Sequence, residues 1–208
     1  MNKAKKINAV EELERLGAAQ RGHFFHNDLS HVEWSVDLRH FYPQTMEVGP
    51  FVDEMVHRYI TRAAHEAIET VIAPGENGGN ILSHLVAYSL TTYTGRQVHA
   101  VWAENEPGCG WRIFHGFEKY LQGKRVLVVD GVIVDGRATQ GAINIARSTG
   151  GFVQGVESIW DWGSLKPMEM RFSPDQWHSL VEGKRWAAGI DCPTCKAMAA
   201  DIKEIAAK

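Results

Sequence analysis

One segment of the chain combines an acidic residue, a glycine and a threonine in a pattern that could hold a phosphorylated sugar. The apolar run RVLVVD ends in Asp130, and a short loop with Gly136 leads into a predicted helix that carries Thr139 near its start. A glycine-containing turn into a helix N-terminus offers backbone N–H groups and a favourable dipole to a phosphate. Asp130 could accept hydrogen bonds from sugar hydroxyls. The pattern favours this binding chemistry in the context of the whole chain, although a helix cap after a buried strand would use the same residues.

A second candidate is the cysteine pair of the sequence CPTC, Cys192 and Cys195. A structural zinc site usually has four ligands, and the chain contains no second pair of this kind. Cys109, one of the ten histidines, or the same motif in a second copy could complete such a site. We interpret the motif as a tight turn with two reduced cysteines, and the zinc alternatives stay open.

The elements that would position these residues alternate between strand and helix. The predicted strands are Val32–Leu38, Thr70–Ala73, Val98–Ala103, Arg125–Asp130 and Val153–Trp160, and the predicted helices are Ala9–Ala19, Phe51–Ile68, Gly79–Tyr93 and Ala138–Ser148. From about residue 70 to 162 this order is typical of βαβ units and a parallel sheet. Ligands of such sheets bind beyond the carboxyl ends of the strands. We expect one α/β domain, with a core over about residues 50–162 and a small hood subdomain from residues 20–45 and 164–197.

Composition excludes several classes of protein. The chain has 208 residues, of which 44% are hydrophobic and 23% charged, as in an ordinary globular domain rather than a disordered one. A net charge of −3 argues against a nucleic-acid partner. No apolar run approaches the length of a membrane span, and the charged N-terminus lacks the apolar core of a secretory signal. Three cysteines fit a reducing compartment, so we expect a cytoplasmic protein with no membrane partner.

The stretch Val128–Thr139 resembles the phosphoribosyl diphosphate signature of type I phosphoribosyltransferases. Four further segments resemble the orotate branch of that family in the same order. They are Leu16–Phe24, Val71–Leu82, Val101–Glu106 together with Gly116, Phe117 and Gly123–Asp130, and the CPTC-containing tail Trp177–Cys195. The resemblance covers most of the chain and implies a twisted parallel sheet flanked by helices, with a hood.

The resemblance also implies an activity. Family members transfer ribose 5-phosphate from phosphoribosyl diphosphate to a base and release pyrophosphate with Mg²⁺. The implied catalytic positions are Asp130, Glu104, Asn105 and Arg112, with Asp130 holding ribose hydroxyls directly or through Mg²⁺. The implied diphosphate-binding positions are Gly75, Gly78, Gly79, Asp130, Gly131, Val134, Asp135, Gly136, Arg137, Ala138 and Thr139. The implied base-binding positions are Phe24, Phe25 and Asp161, for which core packing is an equally open alternative. The segment from Glu104 to His115 would close over the site, and a homodimer is expected.

Two departures from the family pattern support competing hypotheses. Gly131 stands where a second acid is usual, and Asn105 stands where a lysine or arginine is usual; Arg112, His115 or Lys119 could supply the missing cation. The first hypothesis is an enzyme that makes a pyrimidine nucleotide from orotate. The second is a catalytically impaired relative that binds phosphoribosyl diphosphate or a nucleotide as a regulator. The third is a phosphoribosyltransferase for another base.

Overall fold

A computed structural model gives the fold and describes residues 7–25, 30–62, 67–163, 167–186 and 191–197. The α-helices are α1 (Ala9–Arg15), α2 (Thr45–Arg62), α3 (Gly79–Thr94) and α4 (Arg137–Ser148). The strands are β1 (Ala19–Phe25), β2 (His31–Val36), β3 (Thr70–Pro74), β4 (His99–Glu106), β5 (Gly110–Ile113), β6 (Arg125–Ile133), β7 (Phe152–Asp161), β8 (Trp177–Glu182) and β9 (Arg185–Trp186). Within the described ranges, none of the helices is both long and apolar enough to cross a membrane.

The central sheet has six strands in the order β5-β4-β3-β6-β7-β8. All neighbouring pairs are parallel except β4 and β5, which form an antiparallel hairpin. Because β3 lies between β4 and β6, the loops that follow these three parallel strands open at one edge of the sheet. The predicted α/β class and parallel sheet are confirmed.

The sheet is covered by helices on both faces. Along β6, Leu127 and Val129 pack into one buried cluster with residues of α2 and α3, while Val126 and Val128 pack into a second cluster with residues of α4. Alternate residues of a strand point to opposite faces, so the two clusters are the two faces of the same sheet. This double burial explains why RVLVVD is almost continuously apolar.

Two elements differ from the sequence-based expectation. Helix α2 begins at Thr45 rather than Phe51, so Pro50 lies inside the helix and not at its first position. Proline in a helix removes one backbone hydrogen bond, and the long buried face of α2 outweighs that loss. Residues 63–66 of the predicted helix lie outside the described residues.

Strand β8 is the second difference, because residues 164–197 were expected in the hood. Instead, β8 extends the central sheet by pairing parallel with β7. The alternation in WHSLVE buries Trp177 and Val181. Gly155 of β7 permits the approach, since a Cβ there would lie 2.8 Å from the Gln176 carbonyl oxygen.

A separate three-stranded sheet, β1-β2-β9, brings residues 19–36 together with residues 185–186. Its strands are antiparallel, and β9 contributes only the pairs His31–Trp186 and Val32–Arg185. The hood predicted from the two flanks would therefore consist of β1, β2 and β9. Residues 26–29, 164–166 and 187–190 of the predicted hood lie outside the described part of the chain.

Candidate functional site

Asp130 is a buried carboxylate near the carboxyl end of β6, paired in register with Ser158 of β7. Its Oδ2 accepts a 2.6 Å hydrogen bond from the Thr139 hydroxyl, and the backbone N–H groups of Gly131 and Val132 also donate to the carboxylate. Strand β6 runs three residues beyond the predicted end at Asp130. The acid is therefore fixed on a strand and not on a flexible loop.

Burial raises the pKa of Asp130 to about 7, against the opposing effect of the Thr139 hydrogen bond and the two backbone N–H groups. Desolvation disfavours the charged form of a carboxyl group, while hydrogen bonds to the carboxylate favour it. Asp130 is thus poised to change protonation near neutral pH. Such a shifted pKa is typical of functional sites.

Tyr42 occupies the space in front of two of the candidate ligand-binding glycines. A Cβ on Gly131 would lie 2.8 Å from the Tyr42 hydroxyl and 2.9 Å from Cδ1 of Leu38, and a Cβ on Gly78 would overlap the Tyr42 ring. The structure therefore explains why no second acid follows Asp130. The Tyr42 hydroxyl is buried and has no hydrogen-bond partner among the described residues. Burial, and then the nearby charge of Asp130, raises the pKa of Tyr42.

The loop between β6 and α4 has the geometry of an anion site, but the Asp135 side chain already accepts a hydrogen bond from one of its backbone N–H groups. Gly136 adopts a left-handed conformation with φ of 75° just before the first residue of α4, Arg137. The Asp135 carboxylate accepts hydrogen bonds from the Arg137 backbone N–H (3.0 Å) and from Arg137 Nε (2.6 Å). Both side chains are exposed enough to move aside. The Asp135 carboxylate thus lies where a phosphate would meet the helix N-terminus.

The remaining signature residues lie around this loop. Val134 is exposed, and its carbonyl oxygen accepts a 3.0 Å hydrogen bond from Arg185 Nη1 of β9. Thr139 is fully buried, so its hydroxyl contacts Asp130 and does not face the loop. Ala138 lies in the first turn of α4, where backbone N–H groups have no partner within the helix.

The second candidate loop follows β3 and contains Gly75, Gly78 and Gly79. The Gly75 N–H donates a 2.7 Å hydrogen bond to the Ala103 carbonyl of β4. Gly78 has φ of 85°, and a Cβ on Gly79 would overlap the Pro74 carbonyl. These two positions require glycine, because one needs a left-handed backbone and the other a close chain approach.

Glu104, Asn105 and Arg112 all lie in the hairpin of β4 and β5, where Glu104 pairs with Arg112, and Glu104 also lies beside this loop. A Cβ on Gly75 would lie 3.7 Å from Cγ of Glu104, and Glu104 accepts a 3.3 Å hydrogen bond from Trp102 Nε1. Asn105 is exposed opposite Trp111 on the facing strand.

Arg112 forms an ion pair with Glu106, with 2.9 Å between Arg112 Nη1 and Glu106 Oε2. The structure therefore pairs Glu104 with Arg112 across the hairpin and also brings Glu104 to the glycine loop of β3. The segment expected as a closing loop is this hairpin of β4 and β5. It is seated on α4, because the Trp111 indole fills the space where Gly141 has no side chain.

The three base-binding candidates have different surroundings. Phe24 packs on the first core cluster, while Phe25 is exposed and stacks edge-on against His31, with 4.5 Å between ring centroids. Asp161 is buried at the end of β7, where it accepts hydrogen bonds from Trp177 Nε1 (2.8 Å) and the Gly163 N–H (2.7 Å). The Trp177 contact joins β8 to β7, and the Gly163 contact fixes the turn that follows β7.

Two residues near the signature were missed by the sequence analysis. Tyr42 contacts glycines that are distant in sequence, and no motif marks it. Arg185 lies in a two-residue strand that carries no periodic signal, yet it brings a cation to the carbonyl of Val134 and also donates a 2.7 Å hydrogen bond to Ser30 Oγ. Only the tertiary fold places these two side chains.

The chain was then compared with known proteins. Models of known protein families gave no match. The orotate phosphoribosyltransferase of Thermoanaerobacter sp. (strain X514) is 33% identical over 160 residues, which cover 75% of each chain.

Among solved structures, the orotate phosphoribosyltransferase from Aeropyrum pernix superposes with a TM-score of 0.65 at 18% identity, covering 83% of this chain and 92% of the other. The adenine phosphoribosyltransferase from Thermoanaerobacter pseudethanolicus has a TM-score of 0.54 at 15% identity, with coverage of 83% and 99%. The fold is thus shared by enzymes named for different bases.

Proposed function

The chain belongs to the orotate phosphoribosyltransferase family, and we propose that it transfers ribose 5-phosphate from phosphoribosyl diphosphate to orotate. The products are orotidine 5′-phosphate and pyrophosphate. The observation that carries the proposal is the buried Asp130 on β6, set directly before a glycine-containing turn into α4. This arrangement offers one carboxylate to a sugar and a helix N-terminus to its phosphate.

Asp130 binds the ribose hydroxyls in this proposal. Hydroxyl groups donate to a carboxylate and favour its charged form, so binding lowers the pKa of Asp130 from about 7 in the free protein. The Thr139 hydrogen bond orients the carboxylate before the sugar arrives. Positioning of this kind removes orientational freedom from the reaction.

The 5′-phosphate binds to the backbone N–H groups of residues 135–139, and the Asp135 carboxylate leaves the Arg137 N–H when the phosphate enters. Its ion-pair partner Arg137 is then free to contact the phosphate, for which a guanidinium is well suited. The diphosphate binds in this proposal along the loop of Gly75, Gly78 and Gly79, which follows β3 beside β6 at the carboxyl ends of the parallel strands.

The residues present fit a magnesium ion that is shared with the substrate. Mg²⁺ usually binds proteins through one or two carboxylates and completes its shell with water and substrate phosphates. Asp130 would be the protein ligand, directly or through the ribose. The ion would neutralise charge on the departing pyrophosphate.

The base enters from the side of the three-stranded sheet, which we propose is the hood. Phe24 and Trp34 both pack at the edge of the first core cluster, and Trp34 contacts Trp160 with 6.0 Å between centroids. Aromatic faces at this position suit a planar base. We further propose that the protein acts as a cytoplasmic homodimer.

A second candidate function is regulatory binding without turnover. It is supported by the Asp135 carboxylate on the Arg137 N–H and by Asn105, which leaves the hairpin without the usual cation. In that function the same loops would hold phosphoribosyl diphosphate or a nucleotide, and no product would form. The third candidate, a transferase for another base, is supported by the likeness to the adenine enzyme fold.

Product assays with orotate, uracil and adenine, each at saturating phosphoribosyl diphosphate and Mg²⁺, separate the three candidates. Turnover with orotate alone supports the main proposal, and turnover with another base supports the third candidate. Calorimetric binding without turnover on any base supports the regulatory function. Asp130→Asn should weaken diphosphate binding, while the exposed Asp175→Asn should not; equal affinity in both variants would remove Asp130 from the site.

A further inference from the structure

Four side chains outside the proposed active site converge on one point. They are His23, His31, Cys192 and Cys195, and their potential ligand atoms all lie within 4.8 Å of one another. Within the described residues, no other group of three or more His, Cys, Asp or Glu side chains is arranged in this way. We propose that these four residues form a structural zinc site.

Four of the six separations between the ligand atoms are within a few tenths of an ångström of the edges of a zinc tetrahedron. His23 Nε2 lies 3.0 Å from His31 Nδ1, 3.4 Å from Cys192 Sγ and 3.6 Å from Cys195 Sγ. Cys195 Sγ lies 3.2 Å from His31 Nδ1. With Zn–N of about 2.1 Å and Zn–S of about 2.3 Å, the edges of a ligand tetrahedron are about 3.4–3.8 Å.

Hydrogen bonding alone does not account for this convergence. A neutral imidazole carries one donor and one acceptor nitrogen, and a thiol is a weak donor. His23 Nε2 faces three different atoms at once, two of them sulfur, and can donate to only one of them. A cation at the common centre satisfies all four atoms together.

The charge of the four ligands and the softness of their sulfur atoms both favour zinc. Two thiolates and two neutral imidazoles carry a charge of −2, which a divalent ion cancels, so the partly buried site becomes neutral. A tetrahedral set of two sulfur and two nitrogen ligands is typical of Zn²⁺ and unsuited to Mg²⁺. The metal proposed here is therefore distinct from the magnesium of the active site.

The local structure presents the ligands as zinc sites usually do. Cys192 and Cys195 are separated by two residues, and Cys195 lies in the helical turn at 193–197, where the Lys196 N–H donates to the Cys192 carbonyl at 3.1 Å. His23 and His31 come from neighbouring strands β1 and β2. Cys192 is fully buried, as expected for a closed structural site.

The consequence is a cross-link between the C-terminal segment and the β1–β2 ribbon. Phe25 covers the cluster, since its ring lies 4.5 Å from the His31 ring and 5.2 Å from the His23 ring between centroids. The zinc ion would fix the ribbon and the tail as one unit. In this proposal the CPTC motif supplies two zinc ligands, and the other two are His23 and His31 of β1 and β2.

Metal analysis of the full chain tests the proposal without any substrate, so it can fail independently of the proposed function. Protein produced in zinc-supplemented medium and then desalted should contain one zinc per chain by mass spectrometry. Cys195→Ser should lose most of this zinc. Cys109→Ser is the matched control, because Cys109 is exposed and lies outside the cluster.

A spectroscopic measurement on the unaltered protein keeps the test decisive if Cys195→Ser does not fold. Exchange of zinc for Co²⁺ should give intense visible d–d bands and a thiolate-to-metal charge-transfer band, the signature of tetrahedral cobalt with sulfur ligands. Chelation should lower the melting temperature. A metal-free protein, bound iron in place of zinc, a disulfide between Cys192 and Cys195, or full zinc content in Cys195→Ser would overturn the proposal.

Discussion

The Thr139 hydroxyl donates a 2.6 Å hydrogen bond to Oδ2 of Asp130, which joins the first turn of α4 to strand β6. The contact orients the one carboxylate proposed to hold the ribose. It also lowers the pKa that burial raises. The stability, pH response and ligand affinity of the site are therefore linked through this pair.

Thr139→Val should shift the pH dependence of diphosphate binding upward. The substitution keeps the side-chain shape but removes the donor, so the pKa of Asp130 should rise further above about 7. Loss of one partner of a buried hydrogen bond should also destabilise the fold by about 1–3 kcal/mol. Calorimetric titrations across a pH series measure the midpoint. Thr139→Ser retains the hydroxyl and should behave like the unaltered protein; an unshifted midpoint in the valine variant would show that Asp130 does not control binding.

Asp130→Asn should make the free protein more stable at alkaline pH. The folded-state pKa of Asp130 is raised from 3.8 to about 7, so its contribution to stability is most favourable below pH 3.8 and is lost as pH rises to 7. Removal of the charge should raise the free energy of unfolding above about pH 8 by up to a few kcal/mol, and the melting temperature should rise with it. This gain should shrink toward about pH 5.

Asp175→Asn is the control for that experiment, because the pKa of Asp175 is shifted in the opposite direction from that of Asp130. The pKa of Asp175 is lowered, first by the Ser173 hydrogen bond, so its charged form stabilises the folded chain at neutral pH. Its replacement should not raise the melting temperature. If Asp130→Asn also fails to do so, desolvation of Asp130 is not the dominant effect.

Asp135→Asn should increase affinity for phosphate-containing ligands. The carboxylate holds the Arg137 N–H and would repel an incoming phosphate. An amide side chain can keep the turn but carries no charge, so we expect roughly a tenfold gain in affinity, about 1.4 kcal/mol. Titration with inorganic phosphate and with phosphoribosyl diphosphate measures it. Arg137→Gln should change affinity in the other direction, and weaker binding in Asp135→Asn would place the phosphate elsewhere.

Gly141→Ala should loosen the β4–β5 hairpin from α4. The added methyl group would occupy the space of the Trp111 indole, and such overpacking destabilises by about 1–3 kcal/mol. The double variant Gly141→Ala with Trp111→Ala should recover part of the loss from Gly141→Ala, because it removes the clash. Denaturant unfolding of the four proteins of this cycle gives the coupling energy. Strictly additive effects would mean that the two residues do not meet.

The strongly periodic parts of the fold were predictable from the sequence. Strands β3, β6 and β7 and helices α3 and α4 carry continuous apolar patterns with glycine at their ends, and their bounds match to within a few residues. The start of α2 was wrong because Pro50 marks a helix start on local rules, while the buried face of the helix extends it to Thr45. Strand β8 was missed because its pairing depends on the space at Gly155 in another strand.

The site was predictable only where one continuous segment supplies it. Asp130, Gly136 and the start of α4 follow from local chemistry. Tyr42, Arg185 and the histidines beside the CPTC motif come from distant parts of the chain, and long-range packing alone brings them there. For that reason the sequence left Gly131 unexplained, and the structure accounts for it by the position of Tyr42.

The three-stranded sheet has a consequence for synthesis of the protein. Strands β1 and β2 are made before the central sheet, yet their third strand, β9, is the two-residue segment Arg185–Trp186. At typical translation speeds this partner emerges about 7–30 s after the ribbon. An isolated two-stranded ribbon is only marginally stable. The β1–β2 ribbon therefore leaves the ribosome before the central sheet but is among the last elements to acquire its final neighbours.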